Sequence, residues 1–275
     1  MYGLSVFLSI PFYLFSSKLR AAGGENLGEL LVLALCSLLL IPNRTEGTNL
    51  FGLNVPYWSL FVEMVANVLY AAVHPFLSDR RLVQIVIFSA GIVIMATLKN
   101  RGAGIGYSTG MFSLAGGLGR GVFGFFMGLL LHRHILGFRR CAWAGQISPW
   151  VGLVVVAGLL ASPDVGVFNP VVDLFGILFA FPACVLIASQ QCVPRFAGIL
   201  IALGSASYPL YVLHYPIAEF VNYQIKNVAL AYAPLGGIMM LGTLVTLSLV
   251  LEKYFDIPVR RRLTSFVKRN KLAYP

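Results

Sequence analysis

The segment from Val55 to Pro75, VPYWSLFVEMVANVLYAAVHP, is apolar enough to cross a bilayer, yet it carries Ser59, Glu63, Asn67, Tyr70 and His74. Such side chains do chemistry that lipid cannot. A carboxylate or an imidazole accepts and returns a proton, and the hydroxyl, amide and phenol orient a polar substrate. At about 100° per residue, the offsets from Ser59 place all five on one helix face roughly 80° wide. Leu60, Val62, Val65, Leu69 and Ala72 form the opposite face. A glutamate near the bilayer centre costs about 2.5–3.5 kcal/mol on insertion scales, so Glu63 must face protein or a water-filled cavity. A polar stripe of this kind either glues helices together by hydrogen bonds or lines a functional cavity. The ionisable group favours the cavity, because glue needs no charge.

A second polar intrusion lies at 202–217, ALGSASYPLYVLHYPI. Ser207, Tyr211 and His214 stand at i, i+4 and i+7 and share one face. With Ser207 as N-cap, Pro209 falls in the first turn of the helix. Pro216 lacks an N–H, which frees the carbonyl of Val212 and predicts a kink. His214 is then either a satisfied structural histidine or a site residue beside that kink.

Other residues are weaker candidates. Arg120, near the outer end of its helix, either binds an anionic group or snorkels to the interface. Gly117, Gly121, Gly124 and Gly128 share a face at GxxxG spacing, which predicts close helix packing. His132 and His134 are only two residues apart, which splays them on a helix, so they read as part of a cationic inner-face anchor rather than a metal pair. The Gly-rich stretch 99–117 lacks GxGxxG spacing and a surrounding βαβ unit, and reads as a flexible loop rather than a nucleotide cradle. Cys36, Cys141, Cys184 and Cys192 show neither metal-ligand nor disulfide-framework spacing. No metal and no bound cofactor is expected.

The elements that must hold these residues are membrane helices. Of 275 residues, 58% are hydrophobic and 11% charged, against roughly a quarter charged in soluble domains. Apolar runs near the ~20 residues needed to span recur at about 2–17, 27–42, 57–77, 82–98, 118–132, 149–163, 171–189, 207–225 and 232–252. The expected fold is all-α, a polytopic transmembrane bundle of eight or nine helices. Asn54 is placed to cap the third, with Pro56 in its first turn and Tyr57 and Trp58 at the interface. The start of the chain lacks a basic n-region, so residues 2–17 read as a membrane helix rather than a signal peptide.

The net charge of +10 fits orienting loops, and no nucleic-acid motif accompanies it. With the first residue outside and alternating spans, fifteen Lys and Arg fall on the inner side and five outside. Seven of the fifteen lie in the tail, Lys253 to Lys271. The tail 253–275 is therefore expected to be cytoplasmic.

Together the two polar stretches resemble the acyltransferase-3 family of bacterial polytopic membrane O-acyltransferases. The family's P-x-W-S-L-x-x-E segment is matched by Pro56, Trp58, Ser59, Leu60 and Glu63. Its late L-G-x-x-S-Y-x-L-Y-x-x-H-x-P segment is matched by Leu203, Gly204, Ser207, Tyr208, Leu210, Tyr211, His214 and Pro216. RGVFGFFMGLLLHR (120–133) is similar to its Arg-then-F-F-x-x-G helix, and YFDIPVRRRL (254–263) to its closing basic tail.

The resemblance implies transfer of an acyl group, usually acetyl, from cytoplasmic acyl-CoA to a hydroxyl of a cell-surface or secreted glycan or glycolipid such as lipopolysaccharide, at the bacterial inner membrane. It implies Glu63 as a catalytic residue, and His214 is the resident histidine able to take the place of the family's base. Trp58, Ser59, Asn67, Tyr70, Arg120, Ser207, Tyr208 and Tyr211 would bind substrate. The family's opening helices, with a basic residue and a His proposed as catalytic, have no counterpart here. One membrane domain over 1–275, lacking those two helices, is therefore expected, and the 275-residue chain alone is expected not to acylate glycans. The alternatives are a catalytically inactive fragment of such an enzyme and a small-molecule membrane transporter. A transporter should show internal repeats, and the sequence has none.

Overall fold

The computed structural model describes residues 1–14, 27–43, 49–138, 149–189 and 197–272. Lys18, Arg20, Arg44, Arg139, Cys141, Cys192 and Arg195 lie outside the described residues. Apolar runs form helices because only a helix satisfies its own backbone N–H and C=O groups within a single segment in lipid. The helices are α1 (Tyr2–Leu14), α2 (Leu27–Leu38), α3 (Tyr57–Val73), α4 (Asp79–Asn100), α5 (Met111–Phe138) and α6 (Pro149–Leu160). They continue with α7 (Asn169–Phe175), α8 (Phe181–Ser189), α9 (Ala197–Gln224), α10 (Lys226–Ala231), α11 (Leu235–Leu251) and α12 (Ile257–Leu272). Among the described residues β-structure is limited to two isolated bridges. Among the described residues six stretches are long and apolar enough to cross a membrane: 57–76, 79–100, 111–134, 166–189, 197–224 and 235–266. Shorter apolar helices cover 2–14, 28–38 and 150–160. Each of the nine expected segments thus contains a helix, and the chain is an all-α, polytopic membrane bundle.

Local chemistry sets the helix ends. Ser78 caps α4 by accepting from the Arg81 N–H at 3.4 Å, with Asp79 in the first turn, where a carboxylate meets the positive end of the helix dipole. Arg101 stops the helix in the left-handed conformation. Two π-helical turns, Gly176–Ala180 and Glu252–Asp256, end in bonds spanning five residues, from Phe181 N–H to Gly176 O and from Ile257 N–H to Glu252 O. Pro182 and Pro258 follow directly. A proline cannot donate and crowds the carbonyl four residues back, and a widened turn accommodates both effects.

The chain divides into two compact units, one of Met1–Asn43, Phe51–Tyr57 and Pro194–Pro275, the other of Arg44–Leu50 and Trp58–Val193. In the first, α1 lies against α2 and α9, and α9 against α11. Asn43 fastens the 51–57 segment there: its Nδ2 donates to Leu33 O at 3.2 Å and its Oδ1 accepts from Gly52 N–H at 2.9 Å.

In the second unit α4 and α5 lie side by side over a core of Leu77, Leu82, Val86, Val93, Phe123 and Phe126. Their approach depends on glycine. A Cβ at Gly116 would stand 2.6 Å from Ala96 Cβ, and one at Gly119 would stand 2.7 Å from Ile92 Cγ2.

The 99–117 stretch differs from expectation. Helices α4 and α5 take up both of its ends, leaving only residues 101–110 as a connection. That connection is anchored: Leu50 N–H donates to Tyr107 O at 2.8 Å, and Gly106 N–H to Ser113 Oγ at 2.9 Å.

Candidate active site

The candidate residues separate into one group in each unit. In the second unit, α3 buries Val62 and Ala66 and presents Glu63 and Asn67 as exposed side chains. Asn67 Nδ2 donates to the backbone carbonyl of Glu63 at 2.9 Å, one turn earlier. Ser59 is half-buried. Tyr70 departs from the open stripe, because its ring is tilted against Phe125 at 5.5 Å and edge-on to His74 at 5.1 Å. Aromatic packing against α5 thus takes one end of the predicted polar face, and Glu63 and Asn67 keep the other.

Trp58, in the first turn of this helix, holds Arg120. The Arg120 guanidinium lies over the Trp58 ring, 5.2 Å from its centroid. It also donates from Nη1 to Ala103 O at 2.8 Å and from Nη2 to Ile105 O at 3.2 Å. Cation–π attraction and two charge-assisted bonds therefore hold this cation in place inside the unit. The Ala103 N–H in turn donates to Asp173 Oδ2 at 2.7 Å. Asp173 was not legible as a partner, since seventy residues separate it from Ala103. The glycine stripe divides: a Cβ at Gly117 would meet Gly106 Cα at 2.5 Å and one at Gly121 would meet Val62 Cγ1 at 2.1 Å, whereas Gly124 and Gly128 face nothing within 4 Å. The expected close packing is found at the first two positions only.

In the first unit, α9 runs unbroken from Ala197 to Gln224 with Pro209 and Pro216 inside it. Ser207 is therefore no N-cap and Pro209 is not in a first turn. The apolar residues 197–206 are themselves helical, and Ser207 Oγ donates back to Gly204 O at 2.7 Å. Ser207 and Tyr208 are exposed.

The carbonyl freed by Pro216 does find a partner. Asn54 Nδ2 donates to Val212 O at 3.0 Å, and Asn54 is fully buried. Its Oδ1 has no hydrogen-bond partner, so Asn54 braces α9 and does not cap α3 with its side chain. One turn away, Tyr211 Oη donates to Pro56 O at 2.9 Å. Both contacts join the segment preceding Trp58 to the late polar stretch.

His214 is half-buried and its Nδ1 lies 2.7 Å from the Tyr211 carbonyl. A carbonyl oxygen only accepts, so the proton of a neutral ring sits on Nδ1 and the lone pair on Nε2. This contact favours the tautomer that leaves the Nε2 lone pair free of it. The remaining histidines sit elsewhere. His74 begins a 3₁₀ turn, and His134 Nε2 lies 3.7 Å from Asp79 Oδ2 beside the Arg133–Asp79 pair at 2.8 Å. Among the described residues no His, Cys, Asp and Glu cluster can hold a metal ion. Cys36 and Cys184 are free thiols.

A chain of apolar helices long enough to span a membrane thus carries an exposed carboxylate, Glu63, within one such stretch, a stacked Trp58–Arg120 pair and an imidazole whose Nδ1 faces a carbonyl. No curated protein and no solved structure matches it. A family model described as an acyltransferase domain matches residues 2–251, nearly the whole length and both polar segments, so the chain belongs to the acyltransferase-3 family of membrane acyltransferases.

Proposed function

We propose that this protein moves an acyl group, acetyl, from acyl-CoA to a hydroxyl of a cell-surface or secreted glycan or glycolipid at the bacterial inner membrane. The observation that carries the reading is His214, whose Nδ1 is committed to the Tyr211 carbonyl. In the proposed reaction Nε2 takes the proton of the acceptor hydroxyl as its oxygen attacks the thioester carbonyl. The C–S bond breaks, the CoA sulfur leaves as thiolate and receives that proton, and an oxygen ester remains on the glycan. Glu63 supplies the carboxylate that binds an acceptor hydroxyl. Arg120 provides positive charge for an anionic group of a substrate. Trp58, Ser59, Asn67 and Tyr70 in the second unit, and Ser207, Tyr208 and Tyr211 in the first, are each assigned to substrate binding.

The test uses membranes from cells expressing the gene in its native context, incubated with radiolabelled acetyl-CoA and surface glycan. Glu63→Gln and His214→Ala should each lower ester incorporation by about 10²–10⁴-fold, the usual worth of a positioned acid or base, at unchanged membrane abundance. Equal labelling by the wild type and both variants overturns the proposal.

A further inference from the structure

Within the second unit, a cleft of about 510 Å³ runs along α5. That volume falls inside the roughly 300–1,000 Å³ range of small-molecule sites. Gly124 and Gly128 line it from one side, and Gly176, Ile177 and Phe181, from the π-turn and the start of α8, from the other. Its opening is not a by-product of tight packing. At Gly121 a Cβ would collide with a neighbouring side chain, but at Gly124 and Gly128 it would meet nothing within 4 Å. The π-turn opposite is a feature that recurs at functional sites. Apart from two groups, the walls are apolar.

The two exceptions are Arg120 and Asp173, which both line the cleft. They hold the two backbone polar groups of one residue: the Ala103 carbonyl accepts from Arg120 and the Ala103 N–H donates to Asp173. One positive and one negative group therefore stand close together on an otherwise hydrocarbon-lined cleft. An occupant must be apolar along its length and must carry both charge signs at its polar part. A simple anion would satisfy Arg120 but meet Asp173 as a like charge.

We infer that this cleft binds the acyl chain of a zwitterionic phospholipid, with the headgroup phosphate toward Arg120 and its ammonium toward Asp173. The site lies wholly within one unit and shares only Arg120 with the acyl-transfer reading.

The experiment mixes the purified protein in mild detergent with vesicles of equal phosphatidylethanolamine and phosphatidylglycerol, repurifies it, and quantifies retained lipid by mass spectrometry. The wild type should retain phosphatidylethanolamine about fivefold over phosphatidylglycerol, the discrimination expected of one interfacial charge. Asp173→Asn should erase that preference without removing lipid. Gly128→Leu should expel the lipid, whereas Gly91→Leu, on open space in α4 outside the cleft, should keep it. If Gly128→Leu does not fold, the Asp173→Asn headgroup ratio still decides. Equal retention of the two lipids by the wild type, an unchanged ratio in Asp173→Asn, or full retention by a folded Gly128→Leu overturns the inference.

Discussion

Asn54 Nδ2 donates to the carbonyl oxygen of Val212 at 3.0 Å, the carbonyl that Pro216 leaves without its helical donor. The bond is buried, and membrane hydrogen bonds average about 0.6 kcal/mol with a maximum near 1.7. Removing the amide leaves a buried carbonyl unsatisfied, which costs about 1–3 kcal/mol. Asn54→Leu should therefore destabilise the protein by about 1–2 kcal/mol. In a Pro216→Ala background the new N–H at 216 bonds Val212, and the same Asn54→Leu change should cost about 1 kcal/mol less. Unfolding in mixed micelles across the double-mutant cycle measures this, and simple additivity would contradict it.

Gly106 has φ of +113°, and a Cβ there would stand 2.4 Å from Trp58 Cζ3. Gly106→Ala combines a disfavoured backbone with overpacking, and should cost about 1–3 kcal/mol or more. Trp58→Leu in the same chain should recover only part of that loss, because the backbone conformation persists. Thermal unfolding of the single and double variants separates the two contributions.

Glycines on one stripe should respond in opposite ways. Gly121→Ala drives a Cβ to within 2.1 Å of Val62 Cγ1, so it should destabilise by about 1–3 kcal/mol and be rescued by Val62→Ala. Gly124→Ala meets nothing within 4 Å and should be neutral, or stabilising by up to about 1 kcal/mol through helix propensity. Melting temperatures of the three variants in one detergent test the contrast.

The distribution of basic residues predicts how the chain is oriented. Fifteen Lys and Arg on one side against five on the other predict a cytoplasmic C-terminus. A fluorescent protein fused after Pro275 should mature and glow, and alkaline phosphatase fused there should stay inactive. The reverse pattern would invert the topology. Within the C-terminal tail Arg260 pairs with the buried Glu252 and Asp256 at 2.7 and 2.6 Å.

The sequence by itself determined the helices, because lipid offers no hydrogen bonds and each apolar run must satisfy its own backbone. It also determined which residues share a face, since 3.6-residue periodicity is a local property. The stripe of Glu63 and Asn67 was legible on that ground, as was the freed carbonyl of Val212, a covalent consequence of Pro216.

What faces those groups was not legible. Asn54 meets Val212 across 158 residues, and no local pattern announces it. Ser207 looked like a cap because a proline two residues later has the same appearance in a first turn as inside a longer helix, and the upstream helical residues 197–206 removed that reading. Tyr70 left the polar stripe because Phe125 of α5 stands beside it. Gly121 and Gly124 are indistinguishable by spacing, and only the tertiary structure sets Val62 against one and a cleft beside the other. Periodicity shows which way a side chain points on its own helix, whereas the atoms it meets belong to distant segments, and their positions come from packing.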